Sequence, residues 1–235
     1  MDFSSISENY NDEESEIALI ATISLTRLRK ETGFPMKKII LTALVALSVT
    51  GYSHAEGNAE AGKAKAVVCG ACHGPDGNSA APNFPKLAGQ GEKYLLKQMK
   101  DIKGGDRNVL EMTGMLSASS DQDLEDLAAY FASQNGSVGY ADKEQAEIGE
   151  KIYRAGIADR GIAACAACHS PSGQGNDAAA FPKLGGQHAA YTVKQLKDFR
   201  DSKRANDPNA MMRDNAYTLR DDEIDAVAQY IQGLH

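Results

Sequence analysis

The sequence contains no tryptophan, and aromatic residues make only 6% of its 235 positions, whereas glycine occurs 22 times. A chain so short of bulky side chains has little with which to fill a large core by itself. It also lacks a basic excess. The net charge of −7 excludes the electrostatic footprint of a nucleic-acid binder. Four cysteines are too few for a disulfide scaffold of this length, so their placement matters more than their number. What remains is ordinary globular composition, 42% hydrophobic and 24% charged, in a length that suits one large domain or two small ones.

The longest apolar run covers residues 39–49, eleven positions, and falls short of the roughly 20 that a membrane span requires. Its flanks explain it instead. Lys37 and Lys38 precede it, and Ser53, His54 and Ala55 follow with small residues three and one positions before a cut. Residues 36–55 therefore read as a secretory signal peptide. An acidic, polar stretch of 35 residues precedes Met36, unlike the short basic start of a signal peptide. Residues 1–35 are accordingly expected to be an upstream extension outside the native protein. The expected mature chain is residues 56–235, with 20 basic and 25 acidic side chains.

That mature chain is a tandem repeat. Cys69-Gly-Ala-Cys72-His73 aligns with Cys165-Ala-Ala-Cys168-His169 at an offset of 96. Phe84-Pro-Lys-Leu87 matches Phe181-Pro-Lys-Leu184 at 97, as do Gly89-Gln90, Tyr94 and Lys97-Gln98 with their later copies. Near each end, Leu124 and Tyr130 match Ile224 and Tyr230 at 100. Order is kept while the offset drifts slightly, which is the mark of a duplicated domain of roughly 90 residues. The loop chemistry of residues 133–139 places the junction, giving domains at 56–138 and 139–235. Each copy reads as helical: residues 60–68 and 143–153, then 92–102 and 188–201, then a last helix. In that last helix Leu124, Leu127, Ala128 and Phe131 share one face, as do Ile224, Val227, Ala228 and Ile231. Ser120 and Asp121 are cap candidates, and Asp221, Asp222 and Glu223 suit the start of the final helix. No strand pattern stands out, so the fold class is all-α.

Cys-x-x-Cys-His occurs twice and uses every cysteine. It is the attachment pattern of c-type haem: Cys69 with Cys72, and Cys165 with Cys168, add across the two vinyl groups as thioethers, and His73 and His169 each donate a ring nitrogen to iron. Two Cys pairs could instead build a zinc site, but that leaves the His after both pairs without a reason. A redox-active pair usually sits in a βαβ setting, which is absent. Disulfides across such short loops would be strained.

With these residues in hand, the chain resembles the dihaem cytochrome c4 family of tandem class I c-type cytochromes. The resemblance rests on CGACHGPDGNS, PNFPKLAGQ, EMTGML and DLEDLAAYF in the first copy. In the second it rests on CAACHS, FPKLGGQHAAYTVKQL and IDAVAQYIQGLH. It implies two class I domains, each wrapped around one covalently attached haem, related by an approximate two-fold axis. It also implies a periplasmic carrier that receives electrons from a quinol-oxidising complex and gives them to a terminal oxidase, with peripheral attachment to the inner membrane. In such domains a glycine, here Gly62 or Gly149, lets the terminal helices cross against Tyr130 or Tyr230. A proline, here Pro85 or Pro182, offers its carbonyl to the ligand His.

The sixth ligands follow from the repeat. A thioether is the soft neutral ligand of carrier cytochromes, and the mature chain offers Met99, Met112, Met115, Met211 and Met212. Met112 lies 12 residues before Leu124 and 18 before Tyr130, and Met212 stands at the same distances from Ile224 and Tyr230. Met115, Met211 and Met99 face Asn215, Glu111 and Leu196. The axial pairs are thus His73 with Met112 and His169 with Met212. Among the other candidates, His188 reads as a helix-start or surface residue and His235 as a solvated terminus. Lys194, Lys197, Arg200, Lys203 and Arg204 read as a solvated helix face. A monomeric electron carrier, not an enzyme, is the expected function. A haem peroxidase or gas binder would need an open sixth position and a distal acid or base, and none is evident. A haem subunit of a periplasmic dehydrogenase complex is the alternative.

Overall fold

Asn58 starts the first helix because its side chain accepts hydrogen bonds from the amides of Glu60 and Ala61, two of the donors that a helix start leaves open. The structure is a computed structural model that describes residues 57–235. The expected signal at 36–55 and extension at 1–35 lie outside the described residues. The first half carries α1 (Ala59–Lys65), which tightens into a 3₁₀ turn at Ala66–Val68 and leads into α2 (Gly70–His73). Then come α3 (Glu92–Gly104) and α4 (Asp121–Ala132). Ser120 caps α4 in a reciprocal box with Asp123. The second half repeats the order with α5 (Lys143–Ala155), α6 (Ala166–His169), α7 (Ala189–Arg200), α8 (Met211–Ala216) and α9 (Asp221–Gly233). Among the described residues no strand forms; there are two isolated bridges, Ile157 with Ile162 and Asn176 with Phe181. The described residues are predominantly helical, in keeping with the all-α pattern of the sequence.

In each half the first helix crosses the last one at a glycine. A methyl group on Gly62 would lie 1.9 Å from the Asp126 carbonyl oxygen and 2.8 Å from Tyr130 Cβ. On Gly149 it would lie 2.1 Å from the Ala226 carbonyl oxygen and 2.9 Å from Tyr230 Cβ. Backbone meets backbone at both crossings, so no side chain can swing aside. Gly62→Ala and Gly149→Ala are each expected to cost at least about 1–3 kcal/mol, the range for overpacking a tight site, read as a lowered denaturation midpoint. Gly104→Ala, whose nearest neighbour would stand at 3.8 Å, should be neutral or slightly stabilising.

Each half has its own core. The first gathers Ala66, Leu95, Leu127, Ala128, Tyr130 and Phe131. The second is larger, with Ile152, Tyr153, Ile162, Phe199, Leu219, Ile224, Val227 and Ile231 among its members. One hydrogen bond has moved between helices. Tyr130 on α4 donates to the Pro75 carbonyl at 3.1 Å, whereas in the second half Tyr153 on α5 donates to the Ser170 carbonyl at 2.7 Å. Either way a buried phenol closes the turn after the Cys-x-x-Cys-His segment.

The halves meet through paired contacts that exchange under the 97-residue shift. Gln90 Nε2 donates to the Lys183 carbonyl and accepts from the Lys183 amide, at 2.9 and 2.7 Å. Gln187 does the same with Lys86, at 2.9 and 3.0 Å. Such reciprocity is what a two-fold axis produces. Around it Arg107 donates to Gln98, Tyr191 and Gln195, at 3.0–3.1 Å. Arg204 donates to Gln195, Tyr94, Gln98 and Asn206, at 2.8–3.1 Å. Arg204 therefore leaves the solvated face expected for it: it is buried at the junction, where neutral amides and phenols satisfy its donors. The rest of that basic group is solvated and paired, Lys194 with Asp198, Lys197 and Arg200 with Asp221, and Lys203 with Asp201. His188, at the start of α7, also reaches across, with Nε2 2.8 Å from the Ser79 carbonyl.

Candidate haem sites

The two Cys-x-x-Cys-His segments wind into single helical turns, α2 and α6, so both thiols and the imidazole project from one short piece of chain. All four cysteines are free; Cys72 and Cys168 are exposed, and Cys69 and Cys165 are half-buried. Burial pushes the Cys69 thiol up and the Cys165 thiol up to about 11. Among the described residues no three His, Cys, Asp or Glu side chains gather as a metal-holding group. The two Cys pairs thus do not converge into a zinc site.

His73 and His169 are both buried. His73 Nδ1 donates to the Pro85 carbonyl at 2.9 Å, and His169 Nδ1 donates to the Pro182 carbonyl at 2.9 Å. With the proton fixed on Nδ1, Nε2 carries the lone pair. Burial holds both imidazoles below their ordinary titration range, against the opposing pull of the proline carbonyls. The rings are therefore neutral, oriented bases, the form in which histidine binds a metal. Phe84 and Phe181 flank them, with ring centroids 6.2 and 6.3 Å away. The geometry at Pro85 and Pro182 is the one the resemblance implied.

The methionines lie on a separate segment of each half. Met112 ends the 3₁₀ turn Leu110–Met112 and is half-buried. Met212 is the second residue of α8 and packs on the second core, which Cys165 also borders. Met99 packs into the first core from α3. Met115 and Met211 are 53% and 43% exposed.

A family model described as Cytochrome c matches residues 59–135 and again 146–235. Cytochrome c4 of Stutzerimonas stutzeri is 60% identical over 210 residues, a match covering 85% of this chain and all of the relative. The chain belongs to the cytochrome c4 family. The crystal structure of reduced recombinant cytochrome c4 from Pseudomonas stutzeri superposes with a TM-score of 0.75 at 62% identity, covering 76% of this chain and all of the other. A thiosulfate dehydrogenase electron acceptor from Stutzerimonas stutzeri strain A1501 is 37% identical, over 72% of this chain and 80% of the relative. The chain is thus an electron-transfer cytochrome with two cytochrome c domains, and membership of the cytochrome c4 family implies covalently bound haem c.

The residues present fit that group. Free thiols and a neutral, oriented imidazole share one helical turn in each half. The junction adds a second observation. Arg107 and Arg204 are buried, every side-chain hydrogen bond they make goes to a neutral oxygen, and among the described residues neither is in an ion pair with a carboxylate. Burial alone would raise the Tyr94 phenol, yet Arg204 and Arg107 beside it hold it below its ordinary value. Two buried cations that are in no direct ion pair, with Asp101 acting on Arg107 only from a distance, suit a prosthetic group that brings carboxylates of its own.

Proposed function

We propose that this member of the cytochrome c4 family is a periplasmic dihaem one-electron carrier, monomeric and without enzymatic activity. Each domain, 56–138 and 139–235, carries one haem c on Cys69 and Cys72 or on Cys165 and Cys168. His73 with Met112, and His169 with Met212, are the axial ligands. Haem c, when bound, supplies a couple that cycles between ferric and ferrous iron. The chain's own residues do the rest. The thioether-forming cysteines fix the group, the prolines hold each imidazole in one tautomer and orientation, and the methionines occupy the position a substrate would need. The observation that carries the reading is the duplicated, buried imidazole clamped through Nδ1.

The signal pattern at 36–55 supports export. The upstream partner in this reading is a quinol-oxidising complex, the downstream one a terminal oxidase, with peripheral attachment at the inner membrane. A second reading is a dihaem partner of a periplasmic dehydrogenase, favoured by the relative described as a thiosulfate dehydrogenase electron acceptor. An optical redox titration of the purified mature protein tests the proposal. Two one-electron steps and slow, substoichiometric carbon monoxide binding by the ferrous form are expected. Fast binding at either haem would overturn the carrier reading in favour of an enzyme or gas binder. Stoichiometric co-purification with a dehydrogenase would select the second reading.

A further inference from the structure

The two methionine loops are built differently. Met112 follows Arg107 by five residues and Met212 follows Arg204 by eight. In the first loop the Met112 amide bonds the Val109 carbonyl at 2.9 Å, closing a lone 3₁₀ turn. Leu110 beside it is 81% exposed. The longer loop contains Asp207, whose side chain is only 3% exposed. Asp207 Oδ2 accepts from the amides of Met212 and Arg213, at 2.9 and 3.0 Å, and Oδ1 accepts from Arg213 Nε at 2.8 Å. A buried carboxylate is thus aimed at the backbone of the methionine itself.

The same loop holds strain that something must offset. Asn209 and Ala210, directly before Met211, have φ of 53° and 57°, a left-handed conformation that disfavours residues with a Cβ. Strain of this kind persists where surrounding interactions over-determine the backbone. Farther along, Asn215 accepts from the Ala163 amide at 2.7 Å and donates to the Ala163 carbonyl at 3.4 Å. Arg160 donates to the Thr218 carbonyl at 2.9 Å. Both ties come from the segment between α5 and Cys165. That segment is longer in the second half, since Gly149 to Cys165 spans sixteen residues where Gly62 to Cys69 spans seven.

We infer that Asp207 is a positioning residue that holds Met212 in its ligand position, so that the second haem keeps its sulfur ligand under conditions that release Met112 from the first. The inference rests on the ligand pairs proposed above. Its test uses the ferric mature holoprotein and imidazole as the competing ligand, with the sulfur-to-iron absorption band as readout. The native protein should lose the band in two phases, the first belonging to Met112. In a Met112→Ala background the remaining band reports the second site alone. There Asp207→Ala should lower the imidazole concentration for half-loss by about tenfold or more, as expected for removing charge-assisted hydrogen bonds. Asp207→Asn, which keeps an acceptor oxygen without the charge, should fall between. Helix content by circular dichroism should stay unchanged in Asp207→Asn. An imidazole midpoint unmoved in both variants overturns the assignment to Asp207. A full band in Met212→Ala would instead remove the ligand assignment on which it rests, and the inference with it.

Discussion

Replacing Cys69, Cys72, Cys165 and Cys168 with Ala, or expressing the chain without haem-attachment machinery, is expected to yield a polypeptide with little helix and no cooperative unfolding transition. The reason lies in the size of the cores. Ordering the backbone costs about 1–2 kcal/mol per residue, and the first half buries only ten hydrophobic side chains, four of them alanines and the larger ones Leu95, Leu116, Leu124, Leu127, Tyr130 and Phe131. Val67, Val68 and Leu110 meanwhile stay exposed. The helices that would nucleate the fold are short, and α1 has seven residues, well below the length at which an isolated helix is stable in water. A haem macrocycle in each half adds the apolar surface that the missing aromatics do not. The expected loss is the whole folding free energy, on the order of 5 kcal/mol or more, followed by far-ultraviolet circular dichroism and denaturant titration. A helical apo-protein with a sharp two-state transition would contradict it. The second half, with the larger core, is where any residual structure should appear.

The sequence discloses this fold wherever one residue type has a single physical use. Two Cys-x-x-Cys-His segments at a constant offset name the attachment turns. Gly62 and Gly149, opposite Tyr130 and Tyr230, mark the helix crossings, because only a missing Cβ lets backbone carbonyls approach so closely. The junction was not legible. Arg107 and Arg204 look like surface charges in a polar stretch, and their partners Tyr191, Gln195, Tyr94 and Gln98 lie 84 to 110 residues away except where each Gln serves its own half. Nothing local signals that an arginine will be satisfied by amides rather than by water. The signal was nonetheless present in the repeat, since both arginines, both tyrosines and both glutamines recur at 97. Helix α8 is not legible either: six residues give too little periodicity to detect, and the tie that fixes its end, Asn215 with Ala163, joins residues 52 positions apart. Glu223 shows the same limit. The acidic run suits a helix start, and Glu223 does accept from the Arg220 amide, but its carboxylate is also buried against Arg160, a partner 63 positions away.

Met112→Ala and Met212→Ala are each expected to abolish about half of the sulfur-to-iron band of the oxidised protein and to open one haem to imidazole or cyanide. Leu124 and Ile224, the anchors of the spacing argument, are completely buried. A methionine 12 residues before each therefore starts from an equivalent fixed point in its half. Loops between those points differ in length, but the differences fall before the methionine, between α3 and Met112 or α7 and Met212. The competing thioethers are placed badly for the role. Met115 and Met211 are more exposed than the half-buried Met112 and Met212, and Met99 fills the first core, where a flexible side chain serves packing. Met99→Ala should accordingly lower stability by about 2–5 kcal/mol at most and leave the band intact. Losing one soft neutral ligand should also lower the potential of the affected haem, because a thioether favours the ferrous state. The redox titration then separates into one native step and one displaced step. If Met115→Ala or Met211→Ala removed the half-band while Met112→Ala and Met212→Ala kept it, the axial pairs would have to be reassigned, and the equivalence of the two halves would no longer identify ligands.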